Sequence, residues 1–117
     1  ERIFWADAEI KVKDVNMETA LEINRLAPFG IGNEKPIFFF YNIIPEKIER
    51  FGKEKNHLSI NIRDGSRVTR AISFFTEPDK FGNNLKEGMT TNLVANLELS
   101  YFMNRPEARL RVMDFFK

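Results

Sequence analysis

Leu58, Ile60 and Ile62 alternate with His57, Ser59, Asn61 and Arg63. A half-buried strand satisfies that period of two and a helix does not. Asp64-Gly65 follows, a strong hairpin signal, and Arg67 to Phe75 reads as the return strand. Glu77-Pro78-Asp79 breaks the pattern, and Lys80 to Lys86 reads as a short helix capped by Asp79 and stopped by Gly88. Asn92 to Phe102 alternates again, with Leu93, Ala95, Leu97, Leu99 and Tyr101 on the inward phase. Asn104-Arg105-Pro106 is a turn, and Arg109 to Phe115 closes the chain with Leu110 and Val112 inward. Upstream, Ile37 to Ile44 is a dense apolar strand. Pro45 has no N–H for a ladder and marks a bulge or kink, after which the strand resumes through Ile48 to Phe51 and turns over Gly52 to Asn56.

Five strands with a short helix between the third and fourth is the order of an OB-fold barrel. A sandwich wants about seven strands. A small five-stranded barrel without that helix is the main competitor. The first 36 residues differ in texture. Phe4, Ala6, Ala8, Ile10 and Val12 alternate as a strand, and Asn16 is placed to cap a helix carrying Ala20, Leu21, Ile23 and Leu26. Pro28 ends that helix, and Ala27 to Pro36 holds two Gly and two Pro in a loop with special backbone needs. The expected organisation is a strand-helix-loop connector over 1–36 and a mainly-β OB-fold domain over 37–117. The chain has no initiator Met and opens on a strand, so it reads as a piece of a longer protein.

The 43% apolar fraction excludes disorder of the whole chain. No apolar run approaches 18 residues, so no transmembrane helix is expected. Cysteine is absent, which removes disulfides, thiolate metal sites and a cysteine nucleophile and fits a reducing, cytoplasmic compartment. The single His, at 57, excludes a two-His metal cluster. Gly30 and Gly32 start like a dinucleotide fingerprint, but Lys35 occupies the third glycine position and the segment follows a helix rather than a strand. No P-loop is present. The chain as it stands does not read as an enzyme.

Charge is spread unevenly. Residues 46–70 hold seven Lys/Arg against four Asp/Glu, and residues 100–117 hold four against two, while the segments between and before them are net acidic. An OB-fold binds single strands across the outer face of its second and third strands, between the first-second and fourth-fifth loops. That puts Lys53 and Lys55 in one loop, and His57, Ser59, Asn61 and Arg63 on the second strand. Arg67 and Arg70 fall on the third strand, and Tyr101, Asn104 and Arg105 at the other loop. The cations would neutralise phosphates and release counterions, and exposed aromatics would stack bases. Arg70 shares the phase of Val68 and Ile72, which simple alternation points inward. Phe38, Phe40 and Phe74 read as core. The alternative is ordinary solvated charge.

The segment Leu26-Ala27-Pro28-Phe29-Gly30-Ile31-Gly32-Asn33-Glu34-Lys35-Pro36-Ile37-Phe38 resembles the Leu-x-Pro-Phe-Gly-x-Gly-Asn-x-x-Pro-x-Phe element of the bacterial RecJ family, the single-strand-specific 5′ exonucleases of the DHH phosphoesterase superfamily. Asp7-Ala8-Glu9, His57-Leu58, Ala71-Ile72 with Phe74, and Leu110-Arg111-Val112 with Asp114 resemble further family elements in the expected order. The family's Gly-Asn-Pro is Gly32-Asn33-Glu34 here, which relaxes the loop.

The resemblance implies a C-terminal OB domain that holds single-stranded DNA for catalytic DHH and DHHA1 domains. Mn²⁺ or Mg²⁺ would belong to those domains, and no cofactor is expected on these residues. The implied partners are single-stranded DNA, the chain's own catalytic domains and other repair proteins, with no membrane. The implied role is DNA repair and recombination. The alternative function is a structural or protein-interaction OB module that does not touch nucleic acid.

Overall fold

A computed structural model describes residues 8–26, 29–30, 35–102 and 104–117. Phe4, Trp5, Ala6 and Asp7 of the first expected strand lie outside the described residues, as do Pro28 and the Ile31 to Glu34 part of the loop. What is described of that strand is shorter than its alternation suggests. β1 (Ala8–Glu9) pairs in parallel with β2 (Ile37–Ile43). The chain then bends into a 3-10 turn over Val12–Asp14, held by the Asp14 carboxylate, which accepts from the Lys11 N–H at 3.2 Å. The bend drives Val12 and Val15 into the core, which a continued edge strand would not. Helix α1 (Met17–Asn24) starts where expected, because the Asn16 side chain accepts from the Thr19 N–H at 2.9 Å and satisfies an otherwise orphaned donor.

The remaining strands are β3 (Pro45–Phe51), β4 (His57–Asp64), β5 (Arg67–Ser73), β6 (Thr91–Phe102) and β7 (Arg105–Phe116). With β1 and β2 they form one seven-stranded sheet in the order β1-β2-β6-β7-β5-β4-β3. The expectation of a five-stranded barrel is corrected in two respects. The first expected strand is two strands, and the hydrogen-bonded order is open. The cause is local. Asn42 adopts φ +56, a left-handed value that Asn tolerates better than most residues, and the pairing of β2 with β6 slips between Phe40 and Ile43. Pro45 then offers no N–H, and its carbonyl accepts instead from the Gly88 N–H at 2.7 Å. β2 and β3 are separated by Ile44 alone yet sit toward opposite ends of the strand order, so the sheet curls on itself. This is a mainly-β, OB-like sheet.

A second slip shapes β7. Val94 pairs with Asp114 but Ala95 with Val112, so Met113 is an extra residue. It lets Leu110 and Phe115, five residues apart, both reach the core. The helix expected between the third and fourth barrel strands is a 3-10 segment, Pro78–Asn84, interrupted at Gly82 (φ +54, ψ −131). Glu77, not Asp79, stands at its cap, without a side-chain bond. Its buried Phe81 meets Phe115 edge-on at 5.1 Å.

Leu58, Ile60 and Ile62 of β4 and Leu93, Ala95 and Leu97 of β6 fill the interior as their alternation predicts, and Phe40 joins them. Val12, Val15 and Ala20 of the N-terminal segment belong to the same apolar cluster. No described helix is long and apolar enough to cross a membrane.

Candidate nucleic-acid interface

β5 decides what the outer face carries. Its inward phase is Thr69, Ala71 and Ser73, all buried. Ser73 and Thr76 share a 2.7 Å hydroxyl contact, and Thr76 also bonds the Phe74 carbonyl, so the polar atoms at the end of this strand are satisfied inside. Val68 and Arg70 therefore point outward, beside Ser59 and Asn61 of β4, which register with Ile72 and Arg70. Arg70 needs no bulge to reach the outer face, contrary to what simple alternation indicates. Phe74 is corrected as well. It continues the outward phase, lies outside the core cluster and is half-buried.

Parallel pairing of β5 with β7 matches Ile72 to Arg111. This brings the two basic segments of the sequence side by side. Arg70 pairs with Glu107, and Arg109 and Arg111 both pair with Glu98, at 3.3 and 3.0 Å. The Arg111 guanidinium lies 4.5 Å from the centre of the Phe74 ring and that of Arg109 5.8 Å. Sequence reasoning missed Arg109, Arg111 and Phe74 as parts of this face. The signal was present: Arg109 and Arg111 flank the buried Leu110, so both have the outward phase.

At one end of the face, His57 sits among three phenylalanines, with ring centres 5.3 Å from Phe51, 5.1 Å from Phe74 and 4.7 Å from Phe75. Its Nδ1 accepts from the Phe75 N–H at 2.9 Å, which assigns the ring proton to Nε2. Gly52 is confined by that ring. It has φ +94, and a Cβ there would stand 2.6 Å from His57 Cδ2. Lys53 and Lys55 are exposed in the adjoining turn, with Lys55 at φ +57 and its N–H bonded to the Gly52 carbonyl. Phe75 also has a positive φ, +51, and is 78% exposed. A left-handed backbone costs a residue with a Cβ about 1–2 kcal/mol.

At the other end, Arg63 is exposed and bonds Glu46 at 2.6 Å. That hydrogen bond, then the charge of Glu46, raises the guanidinium above its ordinary range. Tyr101, 71% exposed, and the exposed Asn104 and Arg105 form the tip of the β6–β7 hairpin. Lys53, Lys55 and Arg105 make no ion pair among the described residues. From His57 to Arg63, six strand steps, the face runs about 20 Å at roughly 3.3 Å per residue.

Arg67 does not join this face. It shares the phase of the buried Thr69, and its guanidinium donates to the Lys13 and Val15 carbonyls, fastening the 3-10 turn to the sheet. Among the described residues no three His, Asp or Glu side chains stand close enough to hold a metal ion.

Similarity to known proteins bears on the fold first. Two crystal structures of RecJ from Thermus thermophilus, in complex with Mn²⁺ and with Mg²⁺, superpose with TM-scores of 0.55 and 0.61 at 22% and 20% identity. They cover 79% and 86% of this chain and 12% and 14% of theirs. A putative aspartyl-tRNA synthetase from Leishmania major Friedlin superposes with a TM-score of 0.57 at 12% identity, over 92% of this chain and 20% of its own. These define the class by fold. Residues 6–114 match the model of the RecJ OB domain, and the chain belongs to that family. The single-stranded-DNA-specific exonuclease RecJ of Bacillus subtilis (strain 168) is 26% identical over 103 residues, 88% of this chain. The chain spans about an eighth of the length of that relative.

Proposed function

We propose that this chain is the DNA-binding module of a RecJ-type single-strand exonuclease, holding the substrate backbone without reading its sequence. The observation that carries the reading is the convergence of Arg70, Arg109 and Arg111 with the Phe51, His57 and Phe74 rings on one face of the sheet. Cations there neutralise phosphates, and rings supply stacking surface that accepts any base. Lys53 and Lys55 at one end, and Tyr101, Asn104 and Arg105 at the other, extend the path along which a strand would lie. Ser59 and Asn61 offer polar contacts between them. In this reading residues 37–117 bind and residues 1–36 connect to catalytic DHH and DHHA1 domains. Those domains hold Mn²⁺ or Mg²⁺ and cleave the phosphodiester, in a cytoplasmic protein of DNA repair and recombination.

A salt titration of binding to a fluorescent oligonucleotide tests it. Affinity falls with salt at a slope of about −0.7 per phosphate contact on a single strand, and duplex of the same length binds more weakly. Tight binding indifferent to salt, or equal binding of duplex, contradicts the reading.

One observation favours a structural or protein-docking module instead. Arg63, Arg70, Arg109 and Arg111 each already face a carboxylate. In that case charge reversal at Arg109 and Arg111 leaves oligonucleotide affinity unchanged.

A further inference from the structure

We infer that Phe75 is the stacking platform for one unpaired nucleobase at the β5 end of the face. The inference rests on the single-strand reading above and adds to it a site with a defined chemistry. Phe75 carries two unfavourable features at once. Its backbone is left-handed at φ +51, where Gly or Asn would sit with less strain, and 78% of its surface is in water. Phe75 takes no part in the apolar core, and its ring meets that of His57 instead.

The turn that displays it is nevertheless firmly built. The Phe75 N–H donates to His57 Nδ1 at 2.9 Å, the Thr76 N–H to the Asn56 carbonyl at 2.9 Å, and the Thr76 hydroxyl meets Ser73 inside. The Phe75 ring stands nearly perpendicular to the His57 ring, at 81°. An exposed aromatic ring on a hydrogen-bonded turn beside a cationic face suits a planar ligand attached to a phosphate chain. Bases in a duplex already stack on their neighbours, so the site selects a single strand.

The test uses the chain with three probes: a thymidine oligonucleotide, an abasic oligonucleotide of equal length, and a duplex. Phe75→Asn keeps a residue that tolerates the left-handed backbone, so its melting temperature should match or exceed that of the parent. We expect it to bind the thymidine oligonucleotide roughly five- to 150-fold more weakly, the effect of losing one stacked base, and the abasic oligonucleotide unchanged. Phe75→Trp should keep the affinity and show indole quenching with the thymidine oligonucleotide but not the abasic one. If Phe75→Asn binds the thymidine oligonucleotide as tightly as the parent while Arg111→Ala weakens it, the stacking site is wrong and the DNA-binding face stands. If the parent binds no oligonucleotide, both fail.

Discussion

The Arg111 guanidinium rests over the Phe74 ring at 4.5 Å while its Nε donates to Glu98 at 3.0 Å. The two contacts hold the cation against the outer face of β5 and β7. A planar guanidinium held this way can offer its remaining N–H groups to a phosphate. Arg111→Ala should weaken oligonucleotide binding and make its salt dependence shallower by about 0.7 of a unit of slope. Arg111→Lys should recover only part of the affinity, because an ammonium lacks the planar fork. Binding isotherms at several salt concentrations measure both effects, and an unchanged slope in Arg111→Ala would remove this residue from the interface.

Glu98 neutralises two arginines at once. A phosphate arriving at Arg109 and Arg111 competes with that carboxylate. Glu98→Gln keeps the shape but removes the charge and turns one of the two accepting oxygens into a donor, so oligonucleotide affinity should rise several-fold at low salt and converge with the parent at high salt. A fall in affinity, with the fold intact by circular dichroism, would mean that Glu98 positions the arginines more than it opposes ligand.

Gly52 is fixed by its neighbour. Gly52→Ala would place a Cβ 2.6 Å from the His57 ring at a φ of +94. The ring must move, and its bond to the Phe75 N–H goes with it. The expected loss is about 1–3 kcal/mol of stability, read by urea denaturation. Gly65→Ala is the control, since nothing lies within 4 Å of a Cβ there and only the backbone preference is lost.

Arg67 serves the fold. Arg67→Ala removes charged hydrogen bonds to the Val15 and Lys13 carbonyls and should cost about 1–2 kcal/mol of stability. Oligonucleotide affinity should stay within about two-fold of the parent under folding conditions. A selective loss of affinity would return Arg67 to the binding face.

Much of this architecture is legible in the residues. β4, the Asp64-Gly65 hairpin and β6 follow directly from alternation and turn chemistry, and Asn16 marks the start of α1. The misreadings have identifiable causes. β5 buries Thr69 and Ser73 and exposes Val68, which is 42% accessible, so hydrophobicity alone assigns its faces backwards. Ile72 sharpens the deception, because it is fully buried on the outward phase. Phe74 reads as core because most phenylalanines belong there, yet its phase matches that of Arg70. Arg67 reads as a surface cation because nothing in its local pattern shows that residues 13 and 15 fold back beneath it. The left-handed Asn42 and the extra Met113 are local backbone adjustments, fitted to pairing with distant strands, that let apolar residues three and five apart meet one interior.

One continuous stretch of chain, creased at Ile44, supplies strands toward both margins of the sheet. Loosening at either margin therefore pulls on the other through one residue, Ile44. β2 and β3 should open and reseal as one cooperative unit, and the amides of Phe38 and Glu49, which face β6 and β4, should share a common opening free energy.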